Sequence, residues 1–237
     1  MDANLPSQAT RRTANAFTTL RRLAALRVPE NGHTAPGTAP AAIGTEPEKC
    51  ELCSIPLPPE HRHLLETGKR RIACSCDACG LRFADVVGGR FQLIPRDVLS
   101  LPDFKLSDGE WEALSLPIDL AFFFRHSPDG KIVALYPSPA GATESLLSLE
   151  AWGALVADNP ALGELQPDIE ALLVNRAGER RVYYIVPIDL CFELVGLIRL
   201  HWRGLSGGDE VWREIDGFFA RLADKARAWK SRKDPHA

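Results

Sequence analysis

Two C-x-x-C pairs, Cys50-Glu51-Leu52-Cys53 and Cys76-Asp77-Ala78-Cys79, are separated by the 22 residues 54–75. Each pair can set two thiolates on one side of a tight turn, and two such turns facing one another build a tetrahedral metal site. Gly80, directly after the second pair, permits a sharp backbone turn there. Closed four-thiolate sites in small strand-and-turn units typically hold zinc, so a structural zinc ribbon is the first expectation. Iron is the alternative. The same ligands would hold a rubredoxin-like iron or a small cluster, with electron transfer as the consequence. The expected ligands are Cys50, Cys53, Cys76 and Cys79.

Three neighbours complicate that set. Cys74 precedes Cys76 by two residues, so in an extended strand both side chains point to one face. It either replaces Cys76 as a ligand or stands beside the site as a reactive thiol. His61 and His63 alternate onto one face in the same way, as ligands, as groups orienting the ligands, or as packing imidazoles. Cys191, the sixth cysteine, sits in an apolar stretch and reads as a small core residue.

No catalytic set accompanies the cysteines. Gly204-Leu205-Ser206-Gly207-Gly208 matches G-x-S-x-G, but a helix is expected before it and His236, in the tail, is the only histidine downstream. A tight helix–helix connection is the better reading. The stretch from Pro137 to Ser145 reads as a small-residue turn, without a paired base and nucleophile. Neither a Walker loop, a dinucleotide fingerprint nor an H-E-x-x-H motif occurs. No catalytic residue is assigned and a small-molecule substrate is not expected.

The elements that would position these residues fall into a tail, a module and a larger domain. Residues 1–48 read as a disordered tail and linker, with a short basic helix within 11–27 and a Pro/Gly/Ala/Thr-rich stretch from 28. Residues 49–96 form the Cys-rich module: strands over 63–66, 70–74 and 90–94, a turn at Thr67-Gly68, and too few apolar residues for a core without metal. Residues 97–230 form an α+β domain, and 231–237 a tail. In that domain Ser107 and Glu110 make a capping box before Trp111 and Leu114. Hairpins are expected over 118–136 and 171–188, and helices over 148–158 and from a cap at Asp189 to Trp202. The last helix, 209–229, repeats Val211, Ile215, Phe218, Phe219, Leu222 and Ala226 at helical spacing. Together these predict an antiparallel sheet with helices packed on one face.

The composition of the 237 residues is that of an ordinary globular chain, 45% apolar and 25% charged, with net charge −3. No apolar run reaches the length of a membrane span. The charge balance argues against a nucleic-acid partner. Arg21 and Arg22 interrupt the only stretch resembling a secretory signal, so a cytoplasmic location is expected. In a reducing compartment, clustered cysteines hold metal more often than they form disulfides.

Several segments, taken in order, resemble a family without assigned activity that accompanies actinobacterial-type NiFe hydrogenases. They are CELC at 50–53, HRHLL at 61–65, CSCDAC at 74–79, LPIDLAFFF at 116–124, YPSPAGATESLL at 136–147, EALLVNR at 170–176, HWRGLSGG at 201–208 and EVW at 210–212. The resemblance spans about Cys50 to Leu222, and Cys50, Cys53, Cys74, Cys76, Cys79, His61 and His63 correspond to its cysteine and histidine motif. It implies an accessory role in making, protecting or wiring a hydrogenase. Together with a metal site that lacks a catalytic set, this leads to the expectation of a non-enzymatic role in assembly or maturation, with a hydrogenase subunit or maturation factor as partner.

Overall fold

The computed structural model describes residues 47–69, 71–84, 89–145, 149–204 and 207–232. The expected helix within 11–27, the linker up to residue 46, Ser206 and His236 lie outside the described residues. The chain divides into two compact units between Gln92 and Leu93.

The first unit is built on a hairpin. Strands β1 (Arg62–Glu66) and β2 (Arg71–Ser75) pair antiparallel, with His63 opposite Cys74 and Leu64 opposite Ala73. Strand β3 (Phe91–Leu93) adds to β1, giving the order β2-β1-β3. Leu64 and Ala73 are buried, yet so is Glu66 at 1% exposure. Its carboxylate pairs with Arg90 at 2.6 Å, Lys69 at 3.2 Å and Arg71 at 3.3 Å. Burial pushes this carboxyl up, but the bonds from Arg90, Lys69 and Arg71 outweigh it and hold the group below its ordinary value.

Helix α1 (Asp77–Ala84) departs from the strand-and-turn pattern expected of this region. Gly80 lies buried inside that helix instead of at a bend, its amide donating to the Cys76 carbonyl at 2.8 Å. Asp77 in the first turn suits the positive end of the helix dipole.

The second unit is a seven-stranded sheet. Its strands are β4 (Leu99–Ser100), β5 (Leu120–Arg125), β6 (Ile132–Ser138), β7 (Gly141–Ser145), β8 (Glu170–Asn175), β9 (Val182–Pro187) and β10 (Arg227–Ala228). The order is β10-β4-β9-β8-β5-β6-β7, antiparallel except for β10 against β4. Helices cover both faces, not one. Helix α2 (Asp108–Ala113), helix α3 (Leu149–Asp158) and a 3-10 turn (Pro160–Glu164) share a core with Phe123, Leu172 and Ile185. Helices α4 (Ile188–His201) and α5 (Gly208–Lys225) pack against the opposite face, where Phe122 meets Phe192 and Tyr184 approaches Phe219. This explains the nearly unbroken apolar runs of β5, β8 and β9, since strands buried on both faces lose the alternation of a one-sided sheet.

Local expectations hold at several places. Ser107 and Glu110 form the capping box, and Cys191 is fully buried, with burial and Asp189 pushing its thiol well above the ordinary value. Others shift. Residues 136–145 form a β-hairpin through Pro139 and Ala140 rather than a simple turn. Asp189 lies in the first turn of α4, after the Pro187 cap position. Helix α5 ends at Lys225, because the chain extends at Ala226 to pair with β4, and Trp229 packs against the sheet core. Between α4 and α5, Gly207 adopts φ +88°, where an added Cβ would lie 2.8 Å from Val211 Cγ1. Among the described residues no helix is long and apolar enough to cross a membrane.

Candidate metal centre

The first C-x-x-C pair sits on a tight loop closed by short backbone bonds. Cys50 donates to the Ile55 carbonyl at 2.9 Å and Ser54 to the Cys50 carbonyl at 2.8 Å, while Lys49 bridges to Pro56. Ser54 takes φ +63°, the left-handed geometry that reverses the chain after Cys53. The second pair straddles the start of α1: Cys76 precedes it, and the Cys79 amide donates to the Cys76 sulfur at 3.4 Å. A helix N-terminus offers amides to thiolates and favours negative charge.

The Sγ atoms of Cys50, Cys53, Cys76 and Cys79 all lie within 4.8 Å of one another. Cys53 and Cys76 are 3.8 Å apart. A tetrahedron of thiolates at the zinc–sulfur bond length has edges of about 3.8 Å. The cluster therefore has the dimensions of a four-coordinate site for an ion such as zinc or iron. Cys50 and Cys76 are buried and Cys53 is exposed.

The thiols do not ionise alike. Burial pushes Cys50 up, but the backbone of Cys76, Leu52 and Cys53 hydrogen-bonds its sulfur and brings it down to about 6. Cys79 goes the other way, to about 12, through burial and the neighbouring sulfurs of Cys53, Cys76 and Cys50. The amide of Ile55 lowers Cys53, yet the Cys50 sulfur and burial leave it above its ordinary value. One thiolate thus forms readily and opposes the next. A cation removes that opposition and would expel the remaining protons on binding.

Cys74, His61 and His63 do not join this cluster. Their donor atoms form a group of their own, again all within 4.8 Å of one another. Glu51 links the loop to β2, and the sequence pattern did not single it out. Its amide donates to the Cys74 carbonyl and its carboxylate accepts from the Cys74 amide, both at 3.0 Å, and Arg71 pairs with the same carboxylate. An acidic residue inside one C-x-x-C pair and an arginine in the strand leading to the other were the available signal.

Comparison with curated proteins and with solved structures finds no match. The model of one protein family, described as a family of unknown function, matches residues 49–226, from the first cysteine loop to the end of the last helix. The chain is therefore a member of that family, DUF5947.

Proposed function

We propose that the protein is a non-enzymatic, metal-stabilised accessory protein that assists NiFe-hydrogenase assembly or maturation through protein–protein contacts. The four-thiol cluster carries this reading. Four protein ligands fill a tetrahedron, and a filled tetrahedron suits a structural ion, whereas catalytic zinc keeps a position open. Zinc is the first choice of ion, Cys50, Cys53, Cys76 and Cys79 its ligands, and a reducing cytoplasm the setting that keeps the thiols available. The sheet unit would carry partner recognition. The hydrogenase itself enters through the ordered segments from CELC to EVW that resemble the hydrogenase-associated family.

Metal analysis with an absorption spectrum, followed by co-purification with the hydrogenase large or small subunit or their precursors, tests the proposal. A colourless protein with zinc in the cluster that captures a hydrogenase subunit is expected. Normal hydrogenase content and activity in a deletion strain would overturn the assembly role.

A second reading has its own observation: Cys53 is exposed, which would bring one ligand of an iron site to the surface for electron exchange. It requires a coloured protein with a reversible redox couple. Stoichiometric zinc without colour would eliminate it.

A further inference from the structure

We propose that His61, His63 and Cys74 form a second transition-metal site, separate from the four-thiol cluster and open at one coordination position. The inference goes beyond the structural role given to the first ion and does not depend on the hydrogenase association.

The hairpin brings the three donors together. His63 on β1 faces Cys74 on β2 across the ladder, and His61 sits immediately before β1 begins. The histidine rings meet edge to face, with centroids 4.9 Å apart. All three donor atoms lie within 4.8 Å of one another, as ligands of one ion must.

His61 supplies an independent observation. Its Nδ1 is 3.0 Å from the Pro58 carbonyl oxygen, which can only accept, so Nδ1 carries the proton. In the neutral ring, that bond leaves Nε2 as the bare nitrogen. The side chain is only 5% exposed, and Nε2 is buried without a hydrogen-bond partner. Such an orphan acceptor is costly unless something binds it. A ring nitrogen held by a backbone carbonyl while its other nitrogen is presented bare is the usual arrangement of a metal-ligating histidine. The Glu48 carboxylate stands 3.6 Å from Nε2, too far for a hydrogen bond.

Two imidazoles and a thiolate suit a divalent late transition ion, such as zinc or cobalt. Three protein ligands leave one position for water or an incoming donor. On binding, the Cys74 thiol releases its proton to solvent, both rings bind as neutral bases and the ion sheds waters in exchange. A groove of about 300 Å³ passes beside both His61 and Cys76. Held by three protein ligands, the second ion would exchange faster than one held by four thiolates.

The test is a titration of the full-length, reduced protein with Zn²⁺ and, in parallel, Co²⁺, read by metal content and the cobalt spectrum. Two ions per chain are expected, one removed readily by chelator. His63→Gln and Cys74→Ser should each lose the readily removed ion and keep the four-thiolate cobalt bands. Those bands also report that the cysteine loops remain folded. Cys53→Ser with Cys79→Ser should lose the other ion, so failure of the first site is told apart from failure of the second. Uptake of a single ion by the wild type would overturn the proposal, as would two ions retained in both single variants. A ¹⁵N spectrum showing His61 as an imidazolium paired with Glu48 in the presence of excess Zn²⁺ would also overturn it.

Discussion

Phe123 and Glu66 are equally deep in their respective units, at 0% and 1% exposure, but they are held by opposite physics. Phe123 stacks on Trp152 with ring centroids 5.4 Å apart and takes the edge of Trp111 at 6.5 Å, inside a core that continues through Leu172 and Ile185. Glu66 is a carboxylate ringed by Arg90, Lys69 and Arg71. The sheet unit buries apolar surface on both faces and supplies its own stability. The hairpin unit has a small apolar cluster around Cys50, Leu57 and Cys76, in which the thiols are themselves part of the packing. With thiols inside its packing and a buried carboxylate held by cations, this unit is the one in which metal loading is expected to change stability.

Removing metal should separate the two most sharply. Structural zinc sites contribute about 10 kcal/mol or more to folding, so a strong chelator should unfold the hairpin unit and leave the sheet unit intact. Amide exchange followed by NMR reports this directly: protection lost in β1 and β2 but kept in β5, β8 and β9. Equal persistence of both would remove the contrast.

The reverse experiment is Phe123→Ala. Emptying a fully buried aromatic site costs about 3–5 kcal/mol, which should lower the denaturant midpoint of the sheet unit without changing metal content. Gly207→Ala tests the same unit at its helix connection. A left-handed backbone and a Cβ placed 2.8 Å from Val211 should together cost about 2–4 kcal/mol in thermal or denaturant melts.

Glu66→Gln tests the charged interior of the hairpin unit. Losing its charge-assisted bonds should cost about 1–3 kcal/mol at neutral pH. The folded group titrates below its ordinary value of 4.5. Its contribution is therefore complete above that pH and disappears as pH falls through the depressed folded value. The acid limb of the hairpin unit's melting profile should flatten in the variant. Ser107→Ala, which removes the helix cap, should have the smallest effect, about 1 kcal/mol, confined to the sheet unit.

Local chemistry was readable wherever a short segment sufficed. The Ser107–Glu110 capping box, the β5–β6 and β8–β9 hairpins and the buried face of α5 all depend on residues within a few positions of one another. Misread segments have distant partners. Helix α5 stops at Lys225 because β4, more than a hundred residues earlier in the chain, takes up Arg227 and Ala228. Pro137 and Ala142 look like turn residues, yet they pair across an edge hairpin. The Asp77–Ala84 helix was hidden because a C-x-x-C followed by glycine reads equally well as a turn.

By itself the sequence determined which residues can donate to a metal, that four of them occur as two close pairs, and that the apolar chain belongs mainly to the second unit. Only tertiary structure decided how the donors are shared out. Spacing along one chain cannot say whether Cys74 sides with the other cysteines or with the histidines. The β1–β2 register sets His63 opposite Cys74, and a slip of one residue would turn that thiol to the other face of the sheet. Register depends on the whole hairpin: Leu64 over Ala73, Glu66 against Arg71, and Glu51 holding the Cys74 backbone. Two four-residue motifs name four of the seven candidate donors, and the β1–β2 pairing gathers the other three into a group of their own.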